Sequence, residues 1–194
     1  MATNDRIAGI QTVLTTAIYE FRPGAGINWM LKNIIAEADG ELYFKGISSG
    51  LVIKIDSWIG NRNFLDKVFH CSNGFYYYFK NTNVASKKVH YDGIITNDGA
   101  TGDTLVQGIS TIASSAVLTV QPSAGQEWVI HNLMFDTDCR VNVTNGTDTI
   151  AIGDYPANTM ISGLNLILNN TNYLTLTNIG VASGEIGYDG IRTK

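Results

Sequence analysis

Along most of this chain apolar and polar residues alternate in short runs such as "AIYEF", "SGLVIKI" and "YLTLTN", separated by Gly, Asn, Asp, Ser and Thr. Alternation of period two sends successive side chains to opposite faces of a strand, and little of the longer helical period is present. Reading the runs between turn residues predicts "AIYEF", "INWMLKNIIAE", "ELYFKG", "SGLVIKI", "GFYYYFK" and "KKVHYDGII" as strands of a first half. A second half then contains "AVLTV", "EWVIHNLMF", "RVNVT", "TIAIG", "MISGLNLIL", "YLTLTN" and "EIGYDGI". Strands this short, this many and this evenly spaced predict an all-β chain of antiparallel sandwich or jelly-roll-like type.

The two sets of strands are copies of each other. A shift of about 99 residues aligns Ile10 with Ile109, Thr12 with Thr111, Ala17 with Ala116, Pro23 with Pro122, Gly26 with Gly125, Trp29 with Trp128 and Asn33 with Asn132. Towards the ends of the halves a shift of about 97 pairs Val84, Ala85 and Ser86 with Val181, Ala182 and Ser183. The same shift pairs Tyr91-Asp92-Gly93 with Tyr188-Asp189-Gly190. A repeat of about 90 residues is longer than a solenoid unit of roughly 20 to 50. The reading is therefore two tandem β-sandwich domains, 1–98 and 99–194, joined through the polar stretch "TNDGATGD".

The repeated phrases suggest their own physical roles. Pro23 and Pro122 fix a backbone dihedral and Gly26 and Gly125 permit one that other residues avoid, so Pro-x-Ala-Gly is expected to turn the chain from one strand into the next. Trp29 and Trp128 then anchor the core, and simple alternation puts each on the face of its own Asn33 or Asn132. Tyr-Asp-Gly is expected to form a closing turn or bulge. These six Pro, Gly and Trp residues are read as structural anchors of the repeat.

Composition narrows the function. The net charge of -4 and the absence of a Lys/Arg stripe argue against nucleic-acid binding. The start "MATNDRIAGIQTVLTT" does not have the cationic and apolar blocks of a secretory leader, and no apolar run reaches the length of a membrane span, so a cytoplasmically made protein with no membrane partner is expected. Cys71 and Cys139 occupy unrelated places in the repeat and are read as free buried thiols.

Chemistry is sparse. His70, His90 and His131 do not align between halves, no Gly-x-Ser-x-Gly elbow is present, and "GISSG" and "GATGD" lack the lysine and the strand-to-helix context of a phosphate loop. The chain is therefore read as a non-enzyme with no cofactor and no metal site. One acidic feature recurs, "EAD" at Glu37 to Asp39 and "DTD" at Asp136 to Asp138, with Asp148 and Asp154 nearby in the second half. Calcium needs six to eight oxygens, and without a full loop pattern these carboxylates read as solvated hairpin ends.

The halves have diverged unevenly. Residues 1–98 carry a charge balance of +1 and 14 of the 19 aromatics, whereas residues 99–194 carry -5 and 5 aromatics. Aromatic side chains are favoured at interface centres, which makes Trp58, Tyr76, Tyr77 and Tyr78 the candidates for contact. The equal alternative for "FYYYF" is a strand with aromatics on both faces.

"PGAGINW" and "PSAGQEWVIHN", set in tandem Gly/Thr/Asn-rich β domains, resemble small bacteriophage virion proteins of the head decoration, auxiliary capsid or head-fibre type. The resemblance implies a non-enzymatic structural protein, made in the host cytoplasm and located in the virion. It would dock as a homo-oligomer, a trimer favoured, on the major capsid protein or other virion proteins of an icosahedral shell. The alternative is a carbohydrate-binding or host-receptor-binding module, as in tail fibres or lectins, using exposed aromatics to stack on sugar rings. A hydrolase with paired carboxylates ranks last.

Overall fold

The computed structural model describes residues 5–65, 67–97 and 105–194. The boundary read between residues 98 and 99 lies outside the described residues. The first half contains β1 (Arg6–Val13), β2 (Ile18–Phe21), β3 (Asn28–Ala36), β4 (Gly40–Gly46), β5 (Val52–Trp58), β6 (Arg62–Phe64), β7 (Phe69–Cys71), β8 (Phe75–Asn81) and β9 (Lys87–Asn97). The second contains β10 (Leu105–Ile112), β11 (Val117–Val120), β12 (Glu127–Phe135), β13 (Cys139–Thr144), β14 (Thr149–Tyr155), β15 (Thr159–Asn169), β16 (Tyr173–Asn178) and β17 (Gly184–Arg192). All the described elements are strands, and every ladder is antiparallel.

Each half builds two sheets with one wiring. In the second half they run β10-β17-β12-β15 and β11-β16-β13-β14; in the first, β1-β9-β3-β6 with β7 also on β3, and β2-β8-β4-β5. Strands first and last in sequence pair, and successive strands cross between sheets, which is the nested-hairpin order of a jelly roll. The difference lies in the sixth position. Where the second half has one continuous β15, the first has short β6 and β7 separated by residues 65–68.

The turn after Pro-x-Ala-Gly forms as the residues dictate. Ile27 N–H donates to Gly24 O (3.1 Å) and Gln126 N–H to Ser123 O (3.0 Å), with Gly26 and Gly125 at φ 77° and 82°. A positive φ at the third turn position requires Gly. The buried prolines are held in turn by asparagines, Asn73 Nδ2 donating to Pro23 O and Asn170 Nδ2 to Pro122 O, both at 3.2 Å.

Simple alternation fails between the repeated Trp and Asn, and fails identically in both halves. The β3–β9 register slips between Leu31 and Asn33, and the β12–β17 register between Ile130 and Asn132. The extra residue, Lys32 or His131, is a bulge, and it turns the following side chain to the other face. Trp29 therefore packs on the first core, stacked on Tyr91 with centroids 6.1 Å apart, and Trp128 on the second. Asn33 and Asn132 point away from their tryptophans, correcting the shared face expected from alternation. They meet the aspartate of Tyr-Asp-Gly instead: Asn33 Nδ2 donates to Asp92 (2.8 Å) and Asn132 Nδ2 to Asp189 (2.7 Å). Tyr-Asp-Gly thus lies within β9 and β17, facing the bulge, rather than in a closing turn. A β-carbon on Gly93 would fall on Met30 O, and one on Gly190 on Val129 O, so the bulged strands approach too closely for any side chain.

Two hydrophobic cores result. The second half fills its own, with Leu133, Phe135, Val141, Leu174 and Leu176 fully buried. The first is richer in aromatics, centred on Phe21, Phe44, Phe69, Tyr77 and Phe79, and it also takes in Ile109 and Met134 from the second half. The halves therefore share one continuous packing where the first sandwich would otherwise stand open beside β5 and the divided β6/β7.

Candidate functional site

The polar centre of the molecule lies at this junction. The outer face of the β10-β17-β12-β15 sheet covers the β5/β7 edge of the first half, and the repeat's Asn-Asp pair sits at its middle. Asp189 is fully buried and accepts from the Tyr77 hydroxyl, from Asn132 Nδ2 and from the His70 backbone N–H. Met134 Sδ lies 3.4 Å from the same hydroxyl, and Asn132 Nδ2 also donates to Val68 O. Gln107 Nε2 donates to His70 O (2.8 Å), and Glu185 accepts from Val52 N–H (3.2 Å). Backbone groups left over by the break between β6 and β7 are thus satisfied by side chains of the other half, as buried amides require.

Burial sets the electrostatics. Removal from water pushes the Asp189 carboxyl up to about 7, although three donors pull it down. The Tyr77 hydroxyl is held far above its ordinary range by burial and by that carboxyl. His70 is pushed down to about 3, by burial first and then by the neighbouring His131 and Lys32. It is therefore neutral, and its Nε2 lies 2.7 Å from His131 Nδ1 with the rings stacked. His70 Nδ1 is buried without a hydrogen-bond partner. A buried N–H left without an acceptor is costly, which assigns the proton to Nε2 and makes His70 the donor. The two histidines that do not align in the repeat meet across it.

The sequence-derived contact residues are scattered by the fold. Tyr77 faces the other half, as described. Tyr76 is buried within its own half, donating to Glu20 (2.6 Å) beneath Arg22 and Lys45, so it presents no surface to a partner. Trp58 packs on the first core against Phe64 and Phe79 and donates to Ala38 O (2.8 Å). Tyr78 is partly exposed and stacks flat on Tyr43 with centroids 4.7 Å apart. "FYYYF" is therefore a strand with aromatics on both faces.

The paired acidic motifs do local work. Glu37 accepts from Lys88 N–H and Asp136 from Glu185 N–H; Asp39 accepts from Gly60 N–H (2.6 Å) and Asp138 from Ala157 N–H (2.9 Å). Asp154 is bonded to Arg140 at 2.7 and 2.8 Å. Among the described residues no group of three or more His, Cys, Asp or Glu is placed to hold a metal ion. Cys71 and Cys139 are free and buried.

Other paired residues carry the fold without announcing themselves in the sequence pattern. Asn81 donates to Val13, Leu14 and Ala85 carbonyls, and Asn178 does the same for Ile112 and Ala182. Tyr91 lies across Gly9 and Tyr188 across Gly108, each glycine leaving room for the ring. The signal for both was the repeat itself, since each pair is identical at the same shift as its neighbours.

The fold and its centre define an all-β protein of two jelly-roll-wired halves whose most elaborate polar cluster is a packing junction. No family model matches the chain, and no curated protein matches its sequence. Among solved structures it is similar to a chain of the Sulfolobus Turreted Icosahedral Virus, at 8% identity over 97% of this chain and 90% of that one, with a TM-score of 0.35. It is also similar to the PBSX exported protein XepA, at 10% identity over 95% and 86%, with a TM-score of 0.28. At these values the likeness is a weak one of chain path and carries no functional argument.

Proposed function

We propose that this chain is a non-enzymatic virion structural protein, a capsid decoration, auxiliary or head-fibre component that docks as a symmetric oligomer on an icosahedral shell. The observation that carries the reading is the use of the Asn-Asp-Gly device. The chemistry-bearing residues brought together at the junction, Asn132 and Asp189 from the second half with Tyr77 and His70 from the first, are consumed in joining two jelly rolls. A buried carboxyl held by three protein donors and sealed from water suits a rigid building unit. Jelly rolls recur in capsid and lectin domains, and a structural role needs no further site.

The test is sedimentation of the purified protein with purified heads that lack it. Saturable co-sedimentation at a fixed number per head supports the reading; a protein that stays in the supernatant removes it. The stacked Tyr43–Tyr78 pair, partly open to solvent, is the feature that favours a carbohydrate-binding module, because a sugar ring stacks on such a surface. Glycan binding abolished by Tyr78→Ala, with no affinity for heads, would replace the first reading by the second.

A further inference from the structure

The repeat means that every surface used in the junction has a counterpart elsewhere on the same chain, and the positions at the centre of these counterparts are exposed. The junction joins an outer sheet face of the second half to the β5/β7 edge of the first. Left over are the equivalent face of the first half, on β1, β9 and β3, and the equivalent edge of the second, on β14 and β15.

The register identifies the matching positions. Ile109 in the docked face corresponds to Ile10 in the free one; Ile109 is 8% exposed and Ile10 67%. On the edges, Phe44 pairs with Ile53 as Val143 pairs with Ile150, and Met30 pairs with His70 as Val129 pairs with Ile167. Ile53 and His70, under the second half, are both 0% exposed, while Ile150 and Ile167 are 72% and 69% exposed. Three of the most exposed large apolar residues in the strands thus lie at places that the junction buries in the other half. Isolated exposed apolar residues are ordinary, but a matched set on two complementary surfaces is an interface signature.

Charge follows the same correspondence. In the junction Glu185 reaches the amide of Val52, the first residue of β5. The free face has Lys88 in the place of Glu185. On the free edge the residue in the place of Val52 is Thr149, preceded by Asp148, and both Lys88 and Asp148 are exposed. A basic residue thus stands where an acidic one would arrive.

The geometry points to a second copy of this chain as the occupant: the β14/β15 edge of one molecule docks on the β1/β9/β3 face of the next, repeating between chains the junction already made within one. This contact is head-to-tail, so it generates a closed ring or an open filament according to the rotation it imposes. The inference stands on the repeat and does not rest on the virion reading.

The experiment is light scattering on the full chain over a concentration series. Wild-type protein is expected to grow beyond one chain, and Ile10→Asp and the double variant Ile150→Asp/Ile167→Asp are each expected to remain single chains. Mixed in equal amounts, the two variants keep one intact face and one intact edge between them and form dimers that grow no further. Wild type that stays a single chain at every concentration, a variant that alone reaches wild-type mass, or a mixture that does not dimerise each overturns the proposal. Circular dichroism checks folding; if an Asp variant unfolds, Lys88→Glu and Asp148→Lys test the same contact with solvated side chains, each weakening growth alone and the mixture restoring it. Failure here with intact binding to heads would leave the virion reading standing.

Discussion

Asn33 with Asp92 and Asn132 with Asp189 are the same pair in the same bulge, yet one lies half-open to solvent beside His90 and the other is sealed beneath the first half. Local geometry is common to both, since both bulges need an amide and a carboxylate to occupy the gap in the ladder. What differs is the neighbour. In the first half His90 lies beside Asp92, whose side chain stays open to solvent; in the second, Tyr77 and the His70 amide take over, and burial raises the carboxyl of Asp189. A motif that is structural in origin has thus become the centre of a junction by what packs on it, without change in its own residues.

The largest effect tests the shared part. Gly93→Ala and Gly190→Ala each drive a β-carbon into the carbonyl of the bulged strand, and neither backbone oxygen can move without breaking its ladder. Each substitution is expected to destabilise by about 3 kcal/mol, the upper end of what overpacking with a forced backbone shift costs. Chemical denaturation measures it. A large loss at Gly190 with none at Gly93 would show that the bulge of the first half is not held by this contact, and the comparison would fail at its base.

The next effect separates the halves. Asp189→Ala leaves a buried tyrosine hydroxyl, an asparagine amide and a backbone N–H without their acceptor, a loss on the order of 3 kcal/mol. Asp92→Ala leaves groups that water can reach and is expected to cost less than about 1 kcal/mol. Equal losses in the denaturation midpoints of the two variants would show that the junction seals Asp189 less completely than its packing indicates.

How much of this could be read in advance follows from which interactions are local. The all-β character and the turn at Pro-x-Ala-Gly were legible because alternation, proline and glycine act on their own neighbourhood. The strands "RIAGIQTV" and "LVQGISTI", β1 and β10, escaped the strand reading because a central glycine and weak burial blur their alternation, although Ile10 and Ile109 had marked them as repeated. Trp29 and Asn33 were put on one face because a bulge inserts a residue that no period announces. The junction was the least legible part. Tyr77 looked like one more aromatic in "FYYYF", and His70 and His131 looked unrelated because they come together only when one half docks on the other. Clustering of aromatics sets the first half apart, but Tyr76 is buried and Trp58 packs partly on the core, a placement that composition cannot distinguish from contact.

The smallest effect is a change of slope with pH, and it sharpens the comparison by reading two of the junction's titrating groups against each other. The Asp189 carboxyl is raised in the folded protein to about 7 from an ordinary value near 4, so its share of stability is complete below about 4 and is lost as pH rises towards 7. His70 is lowered to about 3 from an ordinary value near 6.5, so its share is complete above 6.5 and is lost as pH falls. Between about pH 4 and 6.5 the two slopes oppose each other and largely offset. His131, lowered by burial and by Lys32, has the sign of His70, while Glu185, raised by burial and by Asp136, has the sign of Asp189. These groups remain in the Asp189→Asn variant, so the difference between wild type and variant isolates Asp189. The stability advantage of wild type over the variant is expected to shrink steadily from pH 4 to 7, measured by denaturation at each pH. An advantage that stays constant across that range would mean that Asp189 is ionised at the junction throughout, and the burial that distinguishes it from Asp92 would then lack its electrostatic consequence.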